Sequence, residues 1–210
     1  MPTEYELRRQ IVDTCRRLYD RGLIVGTAGN VSARAGSDRF LTTPTGVSKA
    51  RLEPGDLVAV DARGRRLAGS RQPSSEFALH QTIYALRPDV GAIVHAHPAA
   101  ATAFSVAGVA LDEPIVTEAA QTIGRIATAP YATPGTPAVG SGVASLVVDH
   151  DVIVLDHHGA VACGRDLETA FGFMETLEHT ARTVLYARML GQVLPLPASE
   201  ADRLLATRSR

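Results

Sequence analysis

The sequence predicts an α/β protein with a mostly antiparallel central sheet flanked by helices on both sides. Three observations lead there. Segments with helical apolar spacing alternate with short apolar runs of strand length. Several connections between those runs are too short to hold a crossover helix, so neighbouring strands must run antiparallel. The 210 residues suit one sizeable core, and a single domain over residues 1–210 is expected.

The elements follow in order. A first helix is expected over residues 4–21, where Leu7, Ile11, Val12, Cys15, Leu18 and Tyr19 recur at helical spacing and Gly22 supplies the stop. "GTAGNVSAR" is a glycine-containing loop running into a hairpin over residues 31–41, around Gly36. "DLVAVD" reads as a strand closed by the turn "ARGR". "PSSEFALHQTIYALRP" has a helix start at its serines and a stop before Pro88. "VGAIVHAHP" is a buried strand and "AAATAFSVAG" a short helix. "GTPAVGSGVASLVVD" is helical in spacing, though weakened by its glycines. "DVIVLDHHGAVACG" reads as strand, tight loop, strand. The last long helix is expected over residues 166–190, with Leu167, Ala170, Phe171, Met174, Leu177, Ala181, Leu185 and Met189 on one face. A final turn closes the tail beyond Gln192.

Composition narrows the function. Apolar residues make up 45% and charged residues 20%, ordinary values for a soluble globular protein. A net charge of −1 argues against a nucleic acid or an anionic membrane as partner. No apolar run approaches the roughly 20 residues needed to span a bilayer. The polar N-terminus, "MPTEYELRRQ", does not read as a signal peptide, so a cytoplasmic location is expected. Cys15 and Cys163 lack zinc-site spacing and read as buried free thiols. Of the 21 Lys and Arg residues, only Lys49 is lysine, so Schiff-base chemistry would have to use it. Its neighbours, "TPTGVS" before and a charged stretch after, read as an exposed loop. For carbonyl chemistry a metal is then the expected electrophile.

"VHAHP" carries the first chemical motif. Residues two apart on a strand face the same way, so His95 and His97 would converge while Ala96 turns toward the core. Alone, this pair suits a metal or a hydrogen-bonded structural role equally. "LDHHG" offers a third imidazole. Adjacent strand residues face opposite ways, so one of His157 and His158 would reach the metal, with Asp156 or His157 free to support it. Gly159 lets the backbone pass close by. Glu76 stands at a helix start. A carboxylate there is favoured by the helix dipole, and beside a cation it can also ligate and accept a proton. His80, one turn on, reads as a packing or supporting residue.

A second set of residues suits an anion. "GTAGN" offers backbone N–H groups around Gly26 and Gly29, with the Thr27 hydroxyl and the Asn30 amide. "TPTG" adds Thr45 and Gly46. Ser74 and Ser75 stand at a helix N-terminus, a natural phosphate position. Each alone is an ordinary turn or cap. Together, beside the histidines, they suggest a small phosphorylated ligand.

Taken together, "IVDTC", "GTAGNVSAR", "TPTG", "PSSE", "HAH", "APYATPGT" and "DHHGAVACG" resemble the class II aldolase/adducin family, and within it the fuculose-phosphate aldolases, over nearly the whole chain. The resemblance implies that His95, His97 and His158 hold one zinc ion per subunit, with Glu76 as a metal-linked acid/base; other divalent metals would also serve. It implies a phosphate pocket of Thr27, Gly29, Asn30, Thr45, Gly46, Ser74 and Ser75, and a homotetramer. The implied reaction is reversible cleavage of a ketose 1-phosphate, such as L-fuculose 1-phosphate, to dihydroxyacetone phosphate and a short aldehyde through a zinc-stabilised enediolate. Pentulose-phosphate epimerases and sugar-phosphate dehydratases or decarboxylases share the scaffold.

Two departures concern the aldehyde end. Fuculose-phosphate aldolases carry a tyrosine before "APYAT"; here Val116 or Thr117 stands at about that place. A second tyrosine, in their C-terminal tail, has no match in "LLATRSR". Glu118 and Gln121 are the nearby polar candidates. A 5-deoxypentulose 1-phosphate is therefore a rival substrate.

Overall fold

The computed structural model describes residues 2–208. Its strands, in chain order, are β1 (Asn30–Gly36), β2 (Arg39–Thr42), β3 (Val58–Val60), β4 (Arg66–Ala68), β5 (Ala92–Ala96), β6 (Ala127–Ala129), β7 (Val152–Leu155) and β8 (Gly159–Gly164). The α-helices are α1 (Glu4–Asp20), α2 (Phe77–Leu86), α3 (Ala99–Val106), α4 (Thr117–Thr122), α5 (Pro137–Ala144), α6 (Leu167–Leu190) and α7 (Ala198–Ala206). The strands form one sheet in the order β4-β3-β2-β1-β5-β8-β7-β6. All neighbours are antiparallel except β6 and β7. The predicted class, an antiparallel-dominated sheet between helices, is the observed one.

Local chemistry explains the best-defined elements. Thr3 caps α1: its side chain accepts from the Glu6 N–H, and the Glu6 carboxylate accepts in return from the Thr3 N–H at 2.7 Å. Asp166 caps α6 by accepting from the Thr169 N–H at 2.8 Å. The buried face of each helix follows most of the stripe read from its spacing, but Tyr19 of α1 and Leu185 and Met189 of α6 are exposed, while Glu178, Thr180 and Val184 of α6 are buried.

The sheet sorts its side chains by alternation. Ala92, Val94 and Ala96 of β5 join the core shared with α1, α3 and α6. Ile93 joins the opposite core, with Phe77 and Ile83 of α2 and Val139 and Val143 of α5. Neighbouring β8 does the same: Ala160 and Ala162 face one way, Val161 and Cys163 the other. Burying each large apolar side chain contributes roughly 1.5–3 kcal/mol, so a shift of register by one residue would be heavily penalised. Both cysteines are buried free thiols.

Several features differ from the sequence reading. β4 and β6 are three-residue strands without a clear alternating pattern; β6 exists through parallel pairing with β7. The tail forms a nine-residue helix where only a turn was expected. Helix α2 begins after Glu76, which takes the N-cap position, so Ser74 and Ser75 lie in the preceding turn. The largest correction is Lys49. It is not on an exposed loop but 2% exposed, its ammonium donating to the carbonyls of Thr27 and Val47. No helix among the described residues is long and apolar enough to cross a membrane.

Candidate metal centre

The central strands deliver the histidines. β5 lies between β1 and β8, with His95 opposite Asn30 on one side and Val161 on the other. Alternation sends His95 to the face covered by α2, where it is fully buried. His97 stands one residue beyond the strand, and its N–H donates to the Leu23 carbonyl at 2.8 Å, holding the chain end in place. Gly159 makes room beside them. A Cβ there would lie 2.4 Å from the Ala96 oxygen and 2.8 Å from the His97 ring.

His158 closes the short loop from β7 to β8, its N–H donating to the Leu155 carbonyl at 3.0 Å. The residue before it, His157, is the one non-glycine residue with positive φ (56°) among those described. His157 is mostly exposed and its Nδ1 lies 2.8 Å from Asp156 Oδ1. His158 faces inward instead.

One nitrogen from each of His95, His97 and His158 lies within 4.8 Å of the others. The Nε2 atoms of His95 and His97 are 3.2 Å apart. Glu76 completes the group, with Oε2 3.4 Å from His95 Nε2 and Oε1 3.3 Å from His158 Nε2. The Asn30 amide donates to Glu76 Oε2 at 3.0 Å.

Protonation suits a cation. His95 Nδ1 is 2.9 Å from the Ala160 carbonyl, which can only accept, so Nδ1 donates there and Nε2 is the nitrogen directed at the cluster. Burial pushes His97 down to about 4, reinforced by His95 and His158. Burial also lowers His158. Burial alone would raise Glu76, but hydrogen bonding and charge from His95, with His158 and His97, hold it down at about 2. Burial thus favours the neutral, ligating form of His97 and His158 beside an ionised Glu76 carboxylate. That donor set fits a divalent ion of the zinc class.

The three anion loops are bonded one to the next. Gly26 and Gly29 take φ of 56° and 69° in the "GTAGN" loop. A Cβ on Gly29 would lie 2.8 Å from the His95 carbonyl oxygen, so this loop packs against the histidine strand itself. The Thr43 hydroxyl accepts from the Val31 N–H at 3.2 Å. The Ser74 N–H donates to the Thr43 carbonyl, and the Thr45 N–H to the Gln72 carbonyl, both at 3.1 Å. Ser74 Oγ accepts from the Glu76 N–H at 3.3 Å. Thr27, Thr45, Gly46 and Ser75 are exposed, whereas Asn30 is buried and Glu76 half-buried.

Glu118 and Gln121 do not join this group. They lie on α4 and line two separate cavities, of about 370 and 420 Å³. Three supporting residues escaped the sequence reading. Lys49 is one. Ser32 is another: its hydroxyl is 2.6 Å from His80 Nδ1 and 2.9 Å from the Tyr84 hydroxyl. The third is Glu178, whose buried carboxylate accepts from the N–H groups of Ala100 and Ala101 and so caps α3 just after the histidine strand. A carboxylate within the apolar stripe of α6 was its only trace in the sequence.

Comparison with known proteins agrees with this geometry. Residues 9–185 match the model of the class II aldolase and adducin N-terminal domain. The chain is 38% identical to an L-fuculose phosphate aldolase of Escherichia coli, over 95% of this chain and 91% of that protein. It is 36% identical to a 5-methylthioribulose-1-phosphate/5-deoxyribulose-1-phosphate aldolase of Rhodospirillum rubrum, over 95% of this chain and 89% of that one. Its fold matches the crystal structure of YgbL from Klebsiella pneumoniae, with a TM-score of 0.91 and 30% identity over 97% of this chain and 100% of that one. The chain belongs to the class II aldolase/adducin family and is an enzyme of its lyase class.

Proposed function

We propose that this enzyme is a metal-dependent aldolase that reversibly cleaves a deoxy-ketose 1-phosphate to dihydroxyacetone phosphate and a short aldehyde. The observation that carries the reading is the convergence of three imidazoles, two of them in contact with the Glu76 carboxylate. His95, His97 and His158 would hold the ion, with zinc as the expected metal and Glu76 as a further ligand. Once bound, it supplies the Lewis acidity that polarises the ketose carbonyl.

The remaining work falls to the chain. Glu76, ionised and held by the Asn30 amide, moves the proton at the carbon of the dihydroxyacetone phosphate fragment that loses its bond to the aldehyde. Thr27, Gly29, Asn30, Thr45, Gly46, Ser74 and Ser75 grip the phosphate and fix that carbon near Glu76. We assign the whole of residues 1–210 to one catalytic domain acting in a cytoplasmic homotetramer.

The departure at Val116 or Thr117, where fuculose-phosphate aldolases carry a tyrosine, supports an aldehyde other than L-lactaldehyde. The substrate we favour is 5-deoxyribulose 1-phosphate, which yields acetaldehyde. The name of the Rhodospirillum rubrum relative supports this choice.

The test is release of dihydroxyacetone phosphate by the metal-loaded enzyme from the 1-phosphates of fuculose, rhamnulose, ribulose and 5-deoxyribulose. Chelator-sensitive release, fastest from the 5-deoxy sugar, is the expected result. Faster cleavage of fuculose 1-phosphate would overturn the substrate assignment. No release from any of them would overturn the aldolase reading in favour of epimerase, dehydratase or decarboxylase chemistry.

A further inference from the structure

Lys49 is the only lysine in the chain, and it is buried. Its ammonium donates to the Thr27 carbonyl at 2.9 Å and the Val47 carbonyl at 3.0 Å. Thr27 sits in the "GTAGN" loop, and Val47 directly follows Thr45 and Gly46. One side chain therefore ties together two of the three loops assigned to the phosphate. Among the described residues no carboxylate forms an ion pair with it. The two groups that act on its charge are Cys15, a buried thiol pushed up to about 12, and Glu76, which is engaged with the histidines.

A buried cation without a counter-ion is costly, and carbonyl dipoles offset only part of that cost. Its choice is also specific in a chain that otherwise uses arginine. A compact ammonium can serve two carbonyls from beneath, whereas a planar guanidinium needs more room and directs its donors in a fixed fork.

We propose that Lys49 is a positioning residue for the substrate phosphate: it turns the carbonyls of Thr27 and Val47 inward, so that loop N–H and hydroxyl groups face outward, and its charge pairs across the loops with the bound dianion. The inference rests on the phosphate-loop assignment above and extends it to a residue beneath the pocket. The substrate then supplies the counter-ion that the described residues do not.

Because Lys49 is unique, labelling with isotopic lysine yields one side-chain amine signal. Metal-loaded protein is titrated with inorganic phosphate while that signal and the Gly26 and Gly29 amides are followed by NMR. Saturable movement of all three is expected. Movement of the glycine amides alone would overturn the role of Lys49 and leave the phosphate loops standing. Movement of none would overturn the loop assignment itself.

A second measurement uses Lys49→Met, comparing kcat/KM on a ketose 1-phosphate with that on the unphosphorylated ketose. The ratio of the two should fall roughly 10- to 100-fold, mainly through KM for the phosphorylated substrate. Equal losses on both substrates would show a merely structural residue.

Discussion

His80 provides a test of the buried layer behind the metal centre. It lies on α2 with none of its surface exposed. Its Nδ1 is 2.6 Å from the Ser32 hydroxyl, and its Nε2 has no hydrogen-bond partner among the described residues. Burial pushes the imidazole down to about 3; His95 acts in the same direction and Glu76 opposes. In the unfolded chain the value returns to about 6.5. As pH falls, the unfolded state therefore takes up the proton first. The contribution to stability is complete above about pH 6.5 and is lost progressively down to about pH 3. Within that window each pH unit costs about 1.4 kcal/mol, or about 2 kcal/mol between pH 6.5 and pH 5.

His80→Gln removes the titration. Urea unfolding of both proteins, at equal concentration and in one metal state, gives their stability difference at pH 7.5 and at pH 5.0. Subtraction cancels the other titrating groups, His97 and His158 included. The wild-type stability should fall by about 2 kcal/mol relative to the variant on going to pH 5.0. A difference independent of pH would refute the reasoning, because it would mean that His80 is not held neutral by burial.

Two further outcomes follow from the site. Glu76→Gln should lower kcat by roughly 10²- to 10⁴-fold, since the amide cannot accept the proton, while the three histidines still retain metal; elemental analysis alongside kinetics checks both halves. Gly159→Ala places a Cβ against the Ala96 carbonyl and the His97 ring, so His97 must move. Metal affinity should drop on the order of 10- to 100-fold, measured by competition with a chelating dye; unchanged affinity would contradict the close packing at the histidine strand.

What the sequence by itself determined is what near neighbours encode. The stripe of Leu7, Ile11, Cys15 and Leu18, capped by Thr3, specifies α1, and the longer stripe behind Asp166 specifies α6. Alternation along β5 is equally local, and it set His95 apart from Ala96 before any partner strand was known. The motif order pointed to the family, and with it to the histidines and Glu76.

Tertiary structure decided the rest, because the forces involved come from residues distant in sequence. β6 needs its pairing with β7 to be a strand at all. His95 owes its ring orientation to a carbonyl on β8, and Glu76 its orientation to an amide on β1. Polarity near Lys49 suggested an exposed loop. Two backbone carbonyls, from Thr27 and Val47, instead satisfy its ammonium inside the protein, and no local pattern signals that such acceptors are waiting.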